Sequence, residues 1–327
     1  MSRYLPHKGL LGLRRIVILP LIILAAYSAV VAQSAAAKVG SETAKGGFRN
    51  EDVIRDKFNA YRTDDDAKAW LREMGYDSAK VASLFASKPH GEKADVEVRI
   101  SLLQSEPPAL AGGQSCNSKA IPQSRKDAEE EARPQSRTSE APALAGGQSG
   151  ESEVECREGI SIKLVSSNQG FNQIDKRWLS HYAKMWKMPA DVVEALKLFV
   201  GETAPTKPGR SKDRMFLDEI DPKLKDAVIK FFTDNKATII SDLFAGDGEH
   251  SAGWVMVAFK PSEKTEWVIR SSKRTVEFYS EGEVGLTRGG NLKIGRITMQ
   301  RKGGDAGRET AKMLQFKINP VELFNAK

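Results

Sequence analysis

A duplicated segment inside the chain limits the fold more than any other feature of the sequence. Residues 108–115 (PALAGGQS) recur unchanged as residues 142–149. The surrounding segment, residues 101–158, has no aromatic side chain and is rich in Pro, Gly, Ser, Gln and Glu. It therefore buries too little apolar surface to offset the entropy lost on ordering. We predict a low-complexity insertion that is flexible, so a single core must form from residues 39–100 joined to residues 159–327.

The first 38 residues form a second region outside this core. Basic residues without any acidic one precede an apolar run over residues 16–32 and then a run of small residues, which is the order of a secretory signal peptide. The apolar run has 17 residues and includes a proline, whereas a membrane-spanning helix needs roughly 20 apolar residues. Two interpretations stay open at this point: an export signal, or an N-terminal extension from a start codon that was assigned too early.

Positive charge is concentrated near the C-terminus. The whole chain has 50 Lys and Arg against 43 Asp and Glu, a net charge of +7. Residues 286–317 alone hold eight basic side chains against two acidic ones. Such a segment is typical of a polyanion-binding surface, and a solvated basic face is the alternative. Two cysteines and four histidines argue against a disulfide framework and against a zinc cluster.

The hydrophobic pattern predicts a mixed α/β core. Residues 50–61 and 67–74 have helical spacing of their apolar side chains. Residues 94–100 and 160–165 alternate apolar and polar side chains, as strands do. Residues 171–188 place apolar side chains on one helical stripe and are predicted to be a helix. Further predicted elements are a helix over residues 223–232 and strands over residues 254–259, 266–270 and 293–300.

Two of these strands carry the candidate chemistry. Asp95 begins one strand, and Lys163 lies on the polar face of the other, after Ser161 and Ile162. A carboxylate on one strand and an x-Ile-Lys sequence on the next is the arrangement of the PD-(D/E)xK nucleases, in which the carboxylate binds Mg²⁺ and the lysine orients the attacking water. The pattern alone is weak, because it also arises by chance. Without the insertion, the sequence separation between the two strands falls within the range of an ordinary hairpin connection.

Four longer stretches carry a family resemblance. They are GSETAKGGF at residues 40–48, KLVS at 163–166, GFNQIDKRW at 170–178, and the pair QRKGGDAGRETA and MLQFK within 300–317. These stretches resemble the HinP1I type of type II restriction endonuclease, from about residue 39 to residue 324, with only the insertion in between. The resemblance implies a PD-(D/E)xK core with a mixed central sheet flanked by helices, dependence on Mg²⁺, and cleavage of double-stranded DNA within the palindrome GCGC.

The resemblance also implies roles for individual residues near the two strands. The metal-binding carboxylate falls on Asp95 and the catalytic lysine on Lys163. Two residues before the lysine the family usually has Gln, whereas this chain has Ser161, a shorter side chain that would reach a metal through a water. The backbone carbonyl of Ile162 is a further hard oxygen ligand. Glu51 resembles the helix-borne carboxylate that often completes such sites, and an exposed glutamate favoured by the helix dipole is the alternative.

DNA contacts are expected from two segments. Phe171, Asn172 and Gln173 place an aromatic ring beside amide groups at the start of the predicted helix, which suits contact with base edges. A buried helix staple is the alternative for Phe171. Arginines of the C-terminal basic segment suit the O6/N7 edge of guanine. The candidate DNA-binding residues are Phe171, Asn172, Gln173, Lys176, Arg301, Lys302, Arg308, Gln315 and Lys317.

The resemblance therefore implies a Mg²⁺-dependent restriction endonuclease. Its expected partners are double-stranded DNA, a methyltransferase of the same restriction–modification system as a functional partner, and a second copy of the chain in a homodimer, with no membrane. Because a restriction enzyme meets DNA in the cytoplasm, the resemblance favours a mis-assigned start over an export signal for residues 1–38. A secreted nuclease, and a catalytically inactive DNA-binding remnant, are the alternatives.

Overall fold

Two β-sheets and the helices around them make up the described part of the chain. The computed structural model describes residues 48–89, 93–103, 116–119, 153–246, 251–304 and 308–326. The signal-like segment and both copies of the repeat lie outside these residues. The predicted mixed α/β class is confirmed, because one sheet contains parallel as well as antiparallel strands and helices pack on it.

The described helices are α1 (described over residues 48–59), α2 (Asp65–Glu73), α3 (Leu179–Met185), α4 (Ala190–Val200), α5 (Pro222–Asp234), α6 (Lys236–Phe244) and α7 (Ser272–Tyr279). Four of the described helices, α2, α4, α5 and α7, begin at a side-chain cap or a proline. Side-chain oxygens of Asp64, Asp221 and Ser271 accept hydrogen bonds from the first free backbone N–H groups of α2, α5 and α7. Across the described ranges, none of the helices is both long and apolar enough to cross a membrane.

The first sheet has the strand order β1-β2-β4-β6-β7, and β3 pairs with β4 outside this path. Its strands are β1 (Val81–Ser87), β2 (Val96–Leu103), β3 (Cys116–Lys119), β4 (Glu153–Val165), β6 (Trp254–Phe259) and β7 (Glu266–Ser271). The first half of β4 pairs antiparallel with β2 and β3, and its second half pairs parallel with β6. The long central strand β4 therefore connects all parts of this sheet.

The second sheet is antiparallel throughout, with the order β5-β11-β10-β9-β8. Its strands are β5 (Asn172–Arg177), β8 (Val284–Leu286), β9 (Leu292–Ile294), β10 (Ile297–Arg301) and β11 (Leu314–Ile318). Short 3₁₀ helices over Glu309–Lys312 and Pro320–Asn325 flank β11. Because β5 follows β4 directly in the chain, the second sheet begins next to the end of the first.

Apolar side chains cover both faces of the first sheet. Ile160 and Ile162 of β4 pack with α1 and α2 in one buried cluster. Val165 lies on the opposite face and joins a second cluster with α3 to α7 and the second sheet. The predicted alternation of β4 is therefore confirmed, since Ser161 and Lys163 project to the side opposite Ile160 and Ile162.

The predicted helix over residues 171–188 is wrong. Residues 172–177 form β5, which pairs with β11 along its length, and only Leu179–Met185 is helical. The strand forms because β11 offers a ladder of backbone hydrogen bonds from a distant part of the sequence, and such tertiary pairing overrides a local helical pattern. The predicted strand over residues 293–300 is also corrected, because a turn at Gly295 divides it into β9 and β10.

The edges of the predicted insertion, residues 101–158, also need correction. β2 continues to Leu103 and β4 begins at Glu153, so both ends of that segment are strands of the first sheet. Cys116 in β3 forms a disulfide with Cys156 in β4. The composition did not predict these ordered ends, because their order comes from backbone pairing of β2 and β3 with β4, which the local sequence does not show.

Gly159 allows β4 to pass close to another part of the backbone. A Cβ atom at this position would lie 2.1 Å from the carbonyl oxygen of Ser251 and 3.1 Å from the Cβ of Ala94. Gly159 is two residues before Ser161, and Ala94 directly precedes Asp95. The missing side chain therefore sets the separation of the two strand ends that carry the candidate site.

We predict that Gly159→Ala destabilises the protein and slows DNA cleavage, because the new methyl group must push β4 away from Ser251. Overpacking of this kind reduces the free energy of unfolding by about 1–3 kcal/mol. Gly285→Ala is the matched control, since nothing lies within 4 Å of its added Cβ. Chemical denaturation of both variants checks this; equal stability would show that the close approach is absent in solution.

Candidate active site

Asp95 is fixed against β4 by both its backbone and its side chain. Its backbone N–H donates to the carbonyl of Ile160 (2.9 Å). Its Oδ2 accepts hydrogen bonds from the backbone N–H of Ile162 (2.6 Å) and from the hydroxyl of Ser161 (3.4 Å). The carboxylate therefore lies over the strand that carries the predicted catalytic lysine, despite the 65 residues that separate Asp95 from Ser161 in sequence.

Lys163 completes this group of polar side chains. Its Nζ donates to the Ser161 hydroxyl and to the Ile162 carbonyl, both at 3.1 Å, and lies 3.9 Å from Oδ2 of Asp95. The Lys163 side chain is 15% exposed and that of Asp95 is 29% exposed. We call Asp95, Ser161, Ile162 and Lys163 the catalytic group. Its members are held by hydrogen bonds, and its carboxylate is open to solvent.

The oxygen atoms of this group suit a hard divalent cation. Within the described residues, the side-chain contacts of Asp95 all involve Oδ2, so Oδ1 is free for a ligand. The Ile162 carbonyl and the Ser161 hydroxyl add two neutral oxygens. In the described ranges, no group of three or more His, Cys, Asp or Glu side chains is arranged so that these side chains alone could hold a metal ion. Mg²⁺ keeps several waters and is often held by only one or two carboxylates, so this donor set fits it.

Glu51 forms an ion pair with Lys88. Its carboxylate lies 2.9 Å from Nζ of Lys88 and is 18% exposed. Ser87 of β1 pairs with Glu97 of β2, so Lys88 lies at the same end of the sheet as Asp95. Glu51 therefore lies at the same edge of the sheet, where it forms an ion pair instead of being freely exposed, and its role as a helix-borne metal ligand stays a prediction.

Several predicted DNA-binding residues share one face of the second sheet. Lys176 pairs with Gln315, and Gln173 pairs with Lys317, so these four side chains point away from the core side of the sheet. The intervening Phe316 is fully buried. Gln300 of β10 pairs with Gln315 and extends the same face. We call this surface, made of Gln173, Lys176, Gln300, Gln315 and Lys317, the polar face of the second sheet.

The structure shows the exposure and the hydrogen bonding of three predicted DNA-binding side chains. Phe171 is 60% exposed and directly precedes β5, so the buried helix staple is wrong. The amide of Asn172 donates to the carbonyl of Leu164 (2.9 Å) and is engaged within the protein. Gln315 is only 4% exposed, so its neighbours cover it.

Basic and acidic side chains line an open cavity of about 770 Å³ at the end of β10. Arg301 donates from Nε to the carbonyl of Ala311 (3.0 Å), and this hydrogen bond joins the end of β10 to the 3₁₀ helix over Glu309–Lys312. Arg308, Lys312 and Lys212 also line this cavity. Lys302 is anchored by its backbone N–H, which donates to the carbonyl of Met313 (2.8 Å).

Sequence analysis missed a second basic element, the loop over residues 201–214. Arg210 and Arg214 both approach the ring of Phe216, with guanidinium carbons 4.2 and 4.0 Å from its centroid. Asp218 and Glu219 neutralise Arg210. Burial, together with repulsion from Arg301 and Arg210, lowers the pKa of Arg214. The sequence GRSKDR at 209–214 is a basic cluster that could have drawn attention to this loop.

A carboxylate and a lysine on paired strands of a mixed sheet, beside a basic surface, define a site of the restriction endonuclease class. Residues 151–324 match the family model described as R.HinP1I restriction endonuclease. Because the match covers more than half of the chain, the chain belongs to this family and is a type II site-specific deoxyribonuclease. The resemblance found in the sequence is confirmed. The matched segment includes Lys163, whereas Asp95 and Glu51 precede it.

The chain is also similar to a solved structure. No curated protein matches the chain. A crystal structure of the restriction endonuclease MspI in complex with its cognate DNA is similar, with 11% sequence identity and a TM-score of 0.48, covering 82% of this chain and 87% of that chain.

We predict that Ser161→Ala slows DNA cleavage, because Lys163 loses one of its two hydrogen-bond acceptors and Asp95 loses a donor. A hydrogen bond to a charged group contributes about 1.5–3 kcal/mol, which corresponds to a rate roughly 10- to 100-fold lower. Ser161→Gln, which restores the residue usual in the family, keeps an acceptor for Lys163 and should retain cleavage.

Single-turnover rates of both variants, with the exposed Ser83→Ala as control, test this role of Ser161. A Ser161→Ala enzyme that cleaves at the wild-type rate would show that the hydroxyl is dispensable. A Ser161→Gln enzyme that is stable but inactive would show that the amide cannot replace it.

Proposed function

We propose that the protein cleaves double-stranded DNA within GCGC and uses Mg²⁺ as its cofactor. The observation that carries the proposal is the catalytic group, in which Asp95 and Lys163 lie together at the end of β4. Membership of the restriction endonuclease family supports the same chemistry. The choice of GCGC rests on the resemblance of the longer sequence stretches.

Asp95 would hold the metal through its carboxylate, together with the Ile162 carbonyl, and the Ser161 hydroxyl would reach it through a water. When bound, Mg²⁺ supplies charge at the phosphate and lowers the pKa of a water. Asp95 is rigid enough for this role, because the backbone N–H of Ile162 fixes its Oδ2 (2.6 Å). Such preorganisation lets a ligand bind without reordering the side chain.

Lys163 would act on the phosphate and on the attacking water. An ammonium has three N–H donors, and Ser161 and Ile162 accept hydrogen bonds from Nζ. A third donor is therefore left for a phosphate oxygen or a water. Since the lysine side chain is mostly buried, its charge acts in a medium less polar than bulk water, where it stabilises a developing negative charge more strongly.

DNA would lie across the polar face of the second sheet and the cavity at the end of β10. Gln173, Lys176 and Lys317 are on that face, and the exposed ring of Phe171 lies where β4 passes into β5. Amide and lysine side chains suit base edges and phosphates. Residues Arg301, Lys302 and Arg308 contribute positive charge that suits the DNA backbone.

The proposed partners follow from the palindrome. A two-fold symmetric site matches a homodimer with two-fold symmetry, and a methyltransferase that modifies GCGC would protect the host genome. Such an enzyme would work in the cytoplasm. The Cys116–Cys156 disulfide is the observation that favours the rival secreted nuclease, because disulfides persist mainly in oxidising compartments.

The test is cleavage of a plasmid with one GCGC site by the full chain. We expect a linear product with Mg²⁺ and none with a chelator. A matched plasmid with one changed base in the site should be cut more slowly by roughly 5- to 150-fold, the effect of about 1–3 kcal/mol per mismatch.

Three outcomes of this experiment would each contradict a different part of the proposal. A folded protein that binds the site but does not cut it with any divalent metal would support the inactive remnant. Cutting of both plasmids at equal rates would contradict GCGC specificity. Equal cutting with a chelator present would contradict the metal requirement.

A further inference from the structure

Lys93 connects the catalytic end of the first sheet to the second sheet. Its Nζ donates to the carbonyl of Ile174 (2.9 Å) and to Oδ2 of Asp175 (3.2 Å), both in β5. The side chains of Lys93 and Asp175 are 14% and 8% exposed. The aliphatic part of the Lys93 side chain packs against Gly246. A Cβ atom added to that glycine would lie 3.1 Å from the Cβ of Lys93. Since Lys93 is two residues before Asp95, it ties that carboxylate to β5.

Asp175 is a fixed partner for this lysine. Its Oδ1 accepts hydrogen bonds from the hydroxyl of Tyr182 (2.5 Å) and from Nε of Arg177 (3.1 Å). Nη2 of Arg177 also donates to Oδ2 (3.3 Å). Tyr182 is fully buried in α3. A carboxylate held by three side chains gives Lys93 one defined position, and a buried, compensated ion pair has more influence on geometry than an exposed one.

A second link joins β5 to the other side of the catalytic group. The amide of Asn172 donates to the carbonyl of Leu164, the residue that follows Lys163. Asn172, the first residue of β5, therefore bonds to the residue that follows Lys163. Ile174 and Asp175, further along β5, bond to Lys93, two residues before Asp95. Gln173, on the polar face, lies between these two links.

We propose that Lys93 and Asp175 are a positioning pair, which holds β5 in register with Asp95 so that DNA bound on the second sheet presents its phosphate to the catalytic group. This inference rests on the proposed function. Lys93 is not assigned a contact with DNA; it acts through Asp95 and β5. Misplacement of a reacting group by about 1 Å lowers rates by roughly 100-fold, so loss of the pair should affect the chemical step more than DNA binding.

The test compares Lys93→Met, Lys93→Arg and Asp175→Asn with the control Lys57→Met in the full chain. Lys57 is also partly buried and also bridges carboxylates, those of Asp64 and Asp66, but it lies on α1 away from β5. The measurements are the single-turnover rate at saturating enzyme, the Kd for a GCGC duplex, the melting temperature, and amide hydrogen exchange of β5.

We expect Lys93→Met to lower the single-turnover rate by roughly 10- to 100-fold, while the Kd stays within about threefold of wild type. Lys93→Arg should recover most of the rate, because a guanidinium also reaches two acceptors. The amides of β5 should exchange faster in Lys93→Met than in wild type, whereas those of β9 should not. Lys57→Met should leave both the rate and the exchange of β5 unchanged.

A wild-type rate and unchanged exchange of β5 in Lys93→Met would overturn the inference. A Kd that rises in proportion to the fall in rate would also overturn it, because Lys93 would then contact DNA directly. If the wild-type chain does not cut DNA, the proposed function fails, and the exchange of β5 alone decides whether Lys93 holds the register. A Lys93→Met chain that fails to fold shifts the decision to Asp175→Asn, for which the same rate, Kd and exchange effects are expected.

Discussion

The pairing of β2 with β4 is the interaction on which the candidate active site depends. It places the backbone N–H of Asp95 on the Ile160 carbonyl and the Asp95 carboxylate on the Ile162 N–H, so one strand pair positions both the acid and Lys163. The chain between Leu103 and Glu153 is 49 residues long. Closing a loop of that length rather than a short turn costs only about 2 kcal/mol more, so the fold can tolerate the insertion.

Sequence patterns predicted the elements whose conformation depends on residues close together in the chain. The alternation of residues 94–100 and 160–165 predicted β2 and the second half of β4, because each strand turns apolar side chains to one buried layer and polar side chains to its other face. The same patterns failed for β5. Its helical spacing is real, but the ladder with β11 connects residues more than a hundred positions apart, and no local signal reports such a partner.

The candidate site shows the same division. Asp95 and Lys163 could be predicted from their strands and from the family resemblance, and the structure brings them together. The engaged amide of Asn172, the ion pair of Glu51 with Lys88, and the link from Lys93 to β5 could not, because each depends on a tertiary contact between different elements. These contacts determine which polar side chains remain free to meet a ligand.

The most direct test of the central claim is single-turnover cleavage of a GCGC duplex by Asp95→Asn and Lys163→Met, with DNA binding measured beside it. Both substitutions nearly preserve side-chain size and remove a charge from the catalytic group. We expect rates lower than wild type by about 100- to 1,000-fold, with Kd values close to wild type. Cleavage at the wild-type rate by either variant would contradict catalysis by Asp95 and Lys163, because the scissile phosphate would then be attacked at another place.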